Sequence, residues 1–168
     1  MRKTLCLVMV CILASLFMSA SNVLAIGKAK IENTEWLVGW IIEMYDTAGL
    51  YQGAMVGGDG LMRIYSAQVI LHLAPTVSSD LGGIAGARGS YTLTGYILTK
   101  DRLQATWCTV DIVDALDNPI DQYDGECQAR INFGSAKACK GKLEYTYGGV
   151  TRVVTFKAKK ISKFAPTP

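Results

Sequence analysis

Histidine occurs once in the 168 residues, at His72, and proline only four times. A lone histidine excludes metal centres built on two or more imidazoles, and it leaves a nucleophilic cysteine or serine with a single candidate base. No Asn-x-Ser/Thr acceptor is present, and no internal repeat, low-complexity tract or interdomain linker interrupts the chain. The missing glycosylation acceptor fits a bacterial periplasmic protein. Beyond residue 25 no apolar run reaches the ~20 residues that a membrane-spanning helix needs. Cysteine is sparse too: Cys6 and Cys11 lie in the leader, leaving Cys108, Cys127 and Cys139.

The first 25 residues differ from the rest. Arg2 and Lys3 form a positive start, Leu5 to Phe17 is uncharged and apolar, and Val23 and Ala25 stand at −3 and −1 of a cleavage site. This is the pattern of a secretory signal peptide cut after Ala25, with Ala20 as second choice. The organisation expected is therefore a signal peptide over 1–25 and one domain over 26–168, exported to the periplasm or secreted. Losing Arg2 and Lys3 takes the formal net charge from +3 to +1. The remaining basic cluster is Lys157, Lys159, Lys160 and Lys163. It can touch acidic lipid, although a solvated, lysine-rich strand edge accounts for it as simply, and nucleic acid is not expected as a partner. In an oxidising compartment three cysteines imply one disulfide and one thiol.

Period-two alternation dominates the mature chain. It predicts eight strands, near 34–45, 49–57, 61–74, 90–98, 102–113, 123–133, 137–147 and 150–161. Short turn signals separate most of them, among them Gly58-Asp59-Gly60, Lys100-Asp101 and Gly148-Gly149. Two connections are longer, 75–89 and 114–122. Centring the hairpins on these turns, and the one between 102–113 and 123–133 on Asp117-Asn118, pairs Leu93 with Cys108, Ile97 with Gln104, Cys108 with Cys127, Leu143 with Val154 and Gly141 with Phe156. One face then collects Leu93, Ile97, Cys108, Val110, Cys127, Ile131, Phe133, Cys139, Leu143, Tyr145, Val154 and Phe156. The other face collects Arg130, Lys140, Lys142, Lys157 and Lys159. The fold expected is all-β, a small antiparallel eight-stranded up-and-down barrel, with a two-sheet β-sandwich as the alternative.

Function is looked for at the end carrying both long loops. Arg152 is expected to point inward there beside Tyr145 and Tyr147, with Tyr91, Trp40 and Met44 nearby. Such a cup would hold a small, largely apolar ligand, with the guanidinium clamping an anionic group. Alternatively, Arg152 pairs with a loop acid such as Asp121. Arg63 shares the inward parity at the closed end, where an internal salt bridge would plug the barrel. Cys108 and Cys127 are the first choice for a disulfide, with Cys127 and Cys139 next. Asp111, Asp114, Asp117, Asp121, Asp124 and Glu126 crowd one hairpin and offer hard oxygens for calcium across 111–126, without any EF-hand spacing. Tyr96, Leu98, Leu103, Ala105 and Trp107 share an outward face suited to a partner or homodimer contact. Trp36, near the start of the first strand, is similar in placement to the tryptophan of lipocalin-like barrels, a single residue that assigns no family. The function expected is an exported, non-catalytic binding barrel. The other readings are an interaction or inhibitor module using the outer aromatic patch, a small outer-membrane barrel, and a barrel-type cyclase.

Overall fold

Residues of the 31–165 segment alternate between buried and exposed along nearly every strand, and that alternation fixes one wall of each strand against a common interior. The computed structural model describes residues 31–73, 78–79, 86–99, 101–135 and 137–165. The expected signal peptide and most of the 75–89 connection lie outside the described residues. The strands are β1 (Thr34–Tyr45), β2 (Tyr51–Ile64), β3 (Gln68–Leu73), β4 (Ser78–Ser79), β5 (Arg88–Thr94), β6 (Ile97–Leu98), β7 (Arg102–Val113), β8 (Pro119–Ser135), β9 (Ala138–Tyr147) and β10 (Val150–Lys163). The eight longer strands pair antiparallel with their neighbours in sequence, and β1 pairs with both β2 and β10. The sheet is thus a closed eight-stranded barrel without a free edge along this ring.

The interior is largely apolar, with Thr34 and Asp121 as its buried polar residues among those described. Trp36, Val38, Trp40 and Ile42 of β1 face Met55, Met62, Leu93, Val110, Ile131, Leu143, Val154 and Phe156. Two aromatic rings lie directly across from glycines. Phe156 is paired with Gly141 and Trp40 with Gly57. A Cβ built on Gly141 would stand 2.1 Å from Phe156 Cζ, and one on Gly57 would stand 2.3 Å from Trp40 Cζ2. The rings occupy the space that side chains there would need, which lets a strongly curved wall close over large residues.

Two tight loops have one construction. Asp46 Oδ1 accepts from the amides of Ala48 and Leu50, and Asp114 Oδ1 accepts from those of Leu116 and Asn118, all at 2.8–2.9 Å. The fourth residue of each loop is left-handed, Gly49 at φ 78° and Asp117 at φ 66°. An aspartate that satisfies its own turn's donors makes a five-residue loop. The 114–122 connection expected to be long is therefore short, and β8 already begins at Pro119.

Three expectations are corrected by local irregularities. Gly58-Asp59-Gly60 does not turn the chain; it lies inside β2, where the register with β1 jumps from Val38–Gly60 to Trp40–Gly57. A strand glycine marks a bulge as readily as a turn, and the turn falls instead at Tyr65–Ala67. Parity before that turn is reversed, so Met62 and Ile64 point inward. Arg63 points outward and donates from Nε to Glu35 at 2.8 Å. The second irregularity lies between Ala105 and Trp107. Thr106 and Trp107 both face outward, so Leu103 and Ala105 are buried while the paired Ile97 and Gln104 are exposed. Third, the β7–β8 register sets Cys108 against Gly125, not Cys127.

The glycine–ring pairs predict stability. Gly57→Ala and Gly141→Ala should each cost about 1–3 kcal/mol by overpacking in urea denaturation. Gly134→Ala, where a Cβ would meet nothing within 4 Å, should be nearly silent.

Candidate functional site

Arg152 sits on β10 opposite Tyr145 of β9, at the end where the β1–β2, β7–β8 and β9–β10 turns gather. Its Nε lies 2.5 Å from Asp121 Oδ2, and the side chains are only 13% and 2% exposed. The Nε–H is not aimed along that line and makes no hydrogen bond. Nη1 donates to the carbonyls of Tyr147 and Val150 at 3.0 Å. Tyr145 donates its hydroxyl to Asp121 at 2.7 Å and stacks on Tyr123 at 5.2 Å between ring centroids. The guanidinium carbon stands 5.7 and 5.9 Å from the Tyr145 and Tyr147 ring centres. Tyr91 meets Tyr145 edge-on; its buried hydroxyl approaches that of Tyr145 without hydrogen-bond geometry.

This cluster is a plug. Of the residues expected to line a cup, Tyr91, Tyr145 and Trp40 are buried, Met44 is half-buried and Tyr147 is exposed. A hollow along the lining beside Tyr91, Leu143 and Phe156 holds about 10 Å³, no more than one water needs. Among the described residues, aromatic side chains fill this stretch of the barrel. Arg152 follows the alternative reading, pairing with Asp121.

The other candidates separate. The three cysteines are buried free thiols. Cys108 and Cys127, offset by two residues, are hydrogen-bonded to each other, which pushes the Cys108 thiol up and holds Cys127 down. The acids expected to gather round calcium are spent separately. Asp114 closes its own turn, which keeps its carboxyl below the usual range. Asp117 pairs with Arg88, Asp121 with Arg152, and Asp124 accepts from Trp107 and Thr109. Among the described residues no three metal-ligating side chains converge. The outer aromatic patch is likewise not assembled. Leu103 and Ala105 are inside, and Tyr96 is tied at 2.5 Å to the Tyr65 carbonyl, leaving Trp107 with its indole on Asp124. His72, Ser90 and Asp111 stand in one outer row of β3, β5 and β7. Ser90 separates the imidazole from the carboxylate, and no hydrogen bond joins the three, so the row lacks an oriented base.

The space that does exist is outside. Two hollows of about 640 Å³ each lie on the outer wall of β2, β1, β10, β9 and β8. They share Gly39, Asn132, Lys140 and Lys157 and so form one groove. Leu37, Ile41 and Val56 expose about two-fifths of their surface to it. Arg130, Lys140, Lys142, Lys157 and Lys159 rim it, and only Lys142 has a carboxylate partner among the described residues, Glu144 at 2.8 Å. Lysines 157 and 159 carried a signal in the sequence; the groove beside them did not, because it depends on which strands closure brings together.

No family model and no curated protein matches the chain. Among solved structures it is similar to a de novo designed transmembrane β-barrel, at 10% identity and TM-score 0.53, over 77% of this chain and 97% of that one. A redesigned β-barrel aligns at 16% identity and TM-score 0.38, over 81% and 96%. The first likeness is one of fold.

Two outcomes follow from the plug. Removing one partner of a buried ion pair typically costs about 3–5 kcal/mol, so Asp121→Ala should be strongly destabilising in urea. The Asp121→Leu, Arg152→Met double variant should recover most of that loss. Burial also pushes the Cys139 thiol up to about 12 and raises the Tyr91 and Tyr145 hydroxyls, Tyr145 further through the neighbouring Tyr91 and Asp121. In the open chain these groups release their protons first, so unfolding releases protons and stability is lost as pH rises past about 9, by up to about 1.4 kcal/mol per unit and group. Urea midpoints at pH 8 and 10.5 should show the decline, and Tyr145→Phe should flatten it.

Proposed function

We propose that the chain is an exported, non-catalytic binding barrel whose ligand, small, largely apolar and anionic, lies on the outer wall and not inside. The observation that carries this is the contrast in space. The hollow beside Tyr91, Leu143 and Phe156 offers about 10 Å³ and the outer groove about 640 Å³ in each half, a size usual for ligand sites. The groove pairs apolar surface with cations of which, among the described residues, only Lys142 has a carboxylate partner. Long side chains of lysine can lie along a bound apolar body while their heads meet its charge. Export rests on the leader pattern, and the absence of catalysis on the unoriented His72–Ser90–Asp111 row.

An outer-membrane barrel is a poorer account. The outward positions of β8, β9 and β10 carry Asp124, Glu126, Arg130, Lys140, Lys142, Glu144, Lys157 and Lys159, where a lipid-facing band should be apolar.

The test is titration of the mature protein with palmitate below its micelle concentration, read by native mass spectrometry. Lys140→Glu with Lys157→Glu should weaken binding about tenfold or more by replacing attraction with repulsion. His72→Glu, on the opposite wall, should leave it unchanged. Absence of palmitate binding, or binding indifferent to the double reversal, refutes the outer site.

A further inference from the structure

The arrangement of charge in this groove is specific enough to ask what kind of anion it suits. Cross-strand register places Arg102, Asn132, Lys140, Lys157 and Gly39 in one outer row. The next row runs Arg130, Lys142, Thr155, Ile41 and Val56. Lys140 and Lys157 are thus directly opposite each other, as are Arg130 and Lys142. Directly opposed like charges weaken a sheet. Glu144 relieves Lys142. Nothing among the described residues relieves Lys140 and Lys157, and Lys159 stands two residues further along the same strand face.

Gly39 lies directly across from Lys157 and its missing side chain leaves a dip, since a Cβ there would meet nothing within 4 Å. Leu37 and Ile41 flank the dip on β1. The cationic pair therefore adjoins an apolar trough. We infer that the groove takes a single-chain lipid bearing a phosphate monoester, its phosphate between Lys140 and Lys157 and its chain along Leu37, Gly39 and Ile41. A carboxylate carries one charge and answers one ammonium. A phosphate monoester carries about −1.5 to −2 near neutral pH and offers three acceptor oxygens, enough to answer both. The apolar part of the trough is one strip along β1, Leu37, Gly39 and Ile41, which matches a single chain from a monomer. This inference rests on the outer groove being the binding site.

The experiment compares palmitoyl lysophosphatidic acid, palmitate, palmitoyl lysophosphatidylcholine and inorganic phosphate on the mature protein at pH 8. Lysophosphatidic acid should bind about tenfold tighter than palmitate, as the second charge-assisted contact predicts. The zwitterionic lipid should bind more weakly than either. Lys157→Gln should reduce the preference for phosphate over carboxylate to within about twofold. Gly39→Val suits a strand and fills only open space, so the fold should survive; it should weaken both anionic lipids alike and leave their ratio unchanged. Equal affinity for the phosphate and carboxylate lipids, with both abolished by the Lys140→Glu, Lys157→Glu pair, overturns the phosphate inference but leaves the outer site standing. Binding of neither lipid overturns both. Inorganic phosphate competing as well as the lipid, or binding only to phosphatidic-acid vesicles, also overturns it.

Discussion

An eight-stranded barrel is only wide enough for its own side chains to fill, and this chain fills it with unusually large ones. Trp36, Trp40, Tyr91, Phe133, Tyr145 and Phe156 all point inward. They fit because glycines stand opposite two of the rings, at Gly57 and Gly141, so that bulk on one strand is matched by absence on its neighbour. Everything further follows from that filling. The hollow beside Tyr91, Leu143 and Phe156 has room for no more than one water, and the charged residues that face inward there pair with each other. Arg152 and Asp121 do so at one end. At the other, Trp36 donates to Thr34 at 2.8 Å and packs tilted against Phe133.

The two signs of charge are treated differently on this scaffold. Its carboxylates are largely committed to structure: Asp46 and Asp114 close turns, Asp121 neutralises a buried guanidinium, Glu35 holds Arg63, and Asp124 holds Trp107. The cations of β9 and β10 are left facing one another. A sheet at equilibrium with water alone gains nothing from the Lys140–Lys157 opposition, since a neutral or acidic residue at either position would remove the repulsion. Commitment of acids and freedom of bases is what gives a chain of small net charge a distinctly positive wall.

Much of the barrel was legible in the sequence, and the losses trace to identifiable physics. The 34–45 and 102–113 strands are found with the bounds expected, and the Gly148-Gly149 turn pairs Leu143 with Val154 and Gly141 with Phe156 as expected. The Leu93–Cys108 and Ile97–Gln104 pairings are also found. Yet one irregularity at Thr106–Trp107 sends Ile97 to water and Leu103 and Ala105 to the core, because a slip of one residue exchanges the faces. Alternation alone does not reveal such a point; two consecutive outward residues, Thr and Trp, are both acceptable inside or out. The cysteine register failed for a related reason. The β7–β8 loop is centred by the side chain of Asp114 and not by an Asp117-Asn118 turn, and this slides Cys127 two places from Cys108. For the candidate cup, pattern gives direction without volume: Arg152, Tyr145 and Tyr91 do point inward, and among the described residues they pack against one another.

The likeness to a designed transmembrane barrel sharpens this point. The two chains share a backbone path and hardly any sequence, and a backbone path is indifferent to its surroundings. What assigns a barrel to lipid or to water is which of the two alternating faces is apolar. Here Val110, Ile131, Leu143 and Val154 face inward, whereas Thr109, Arg130, Lys142 and Thr155 face out, a polarity opposite to the one a bilayer demands. A wall that must be polar can still carry a strip of Leu37, Ile41 and Val56, provided that something covers it or the strip is narrow. That strip runs past the dip at Gly39 beside Lys157 of β10 and Lys140 of β9, which makes this part of the wall amphipathic.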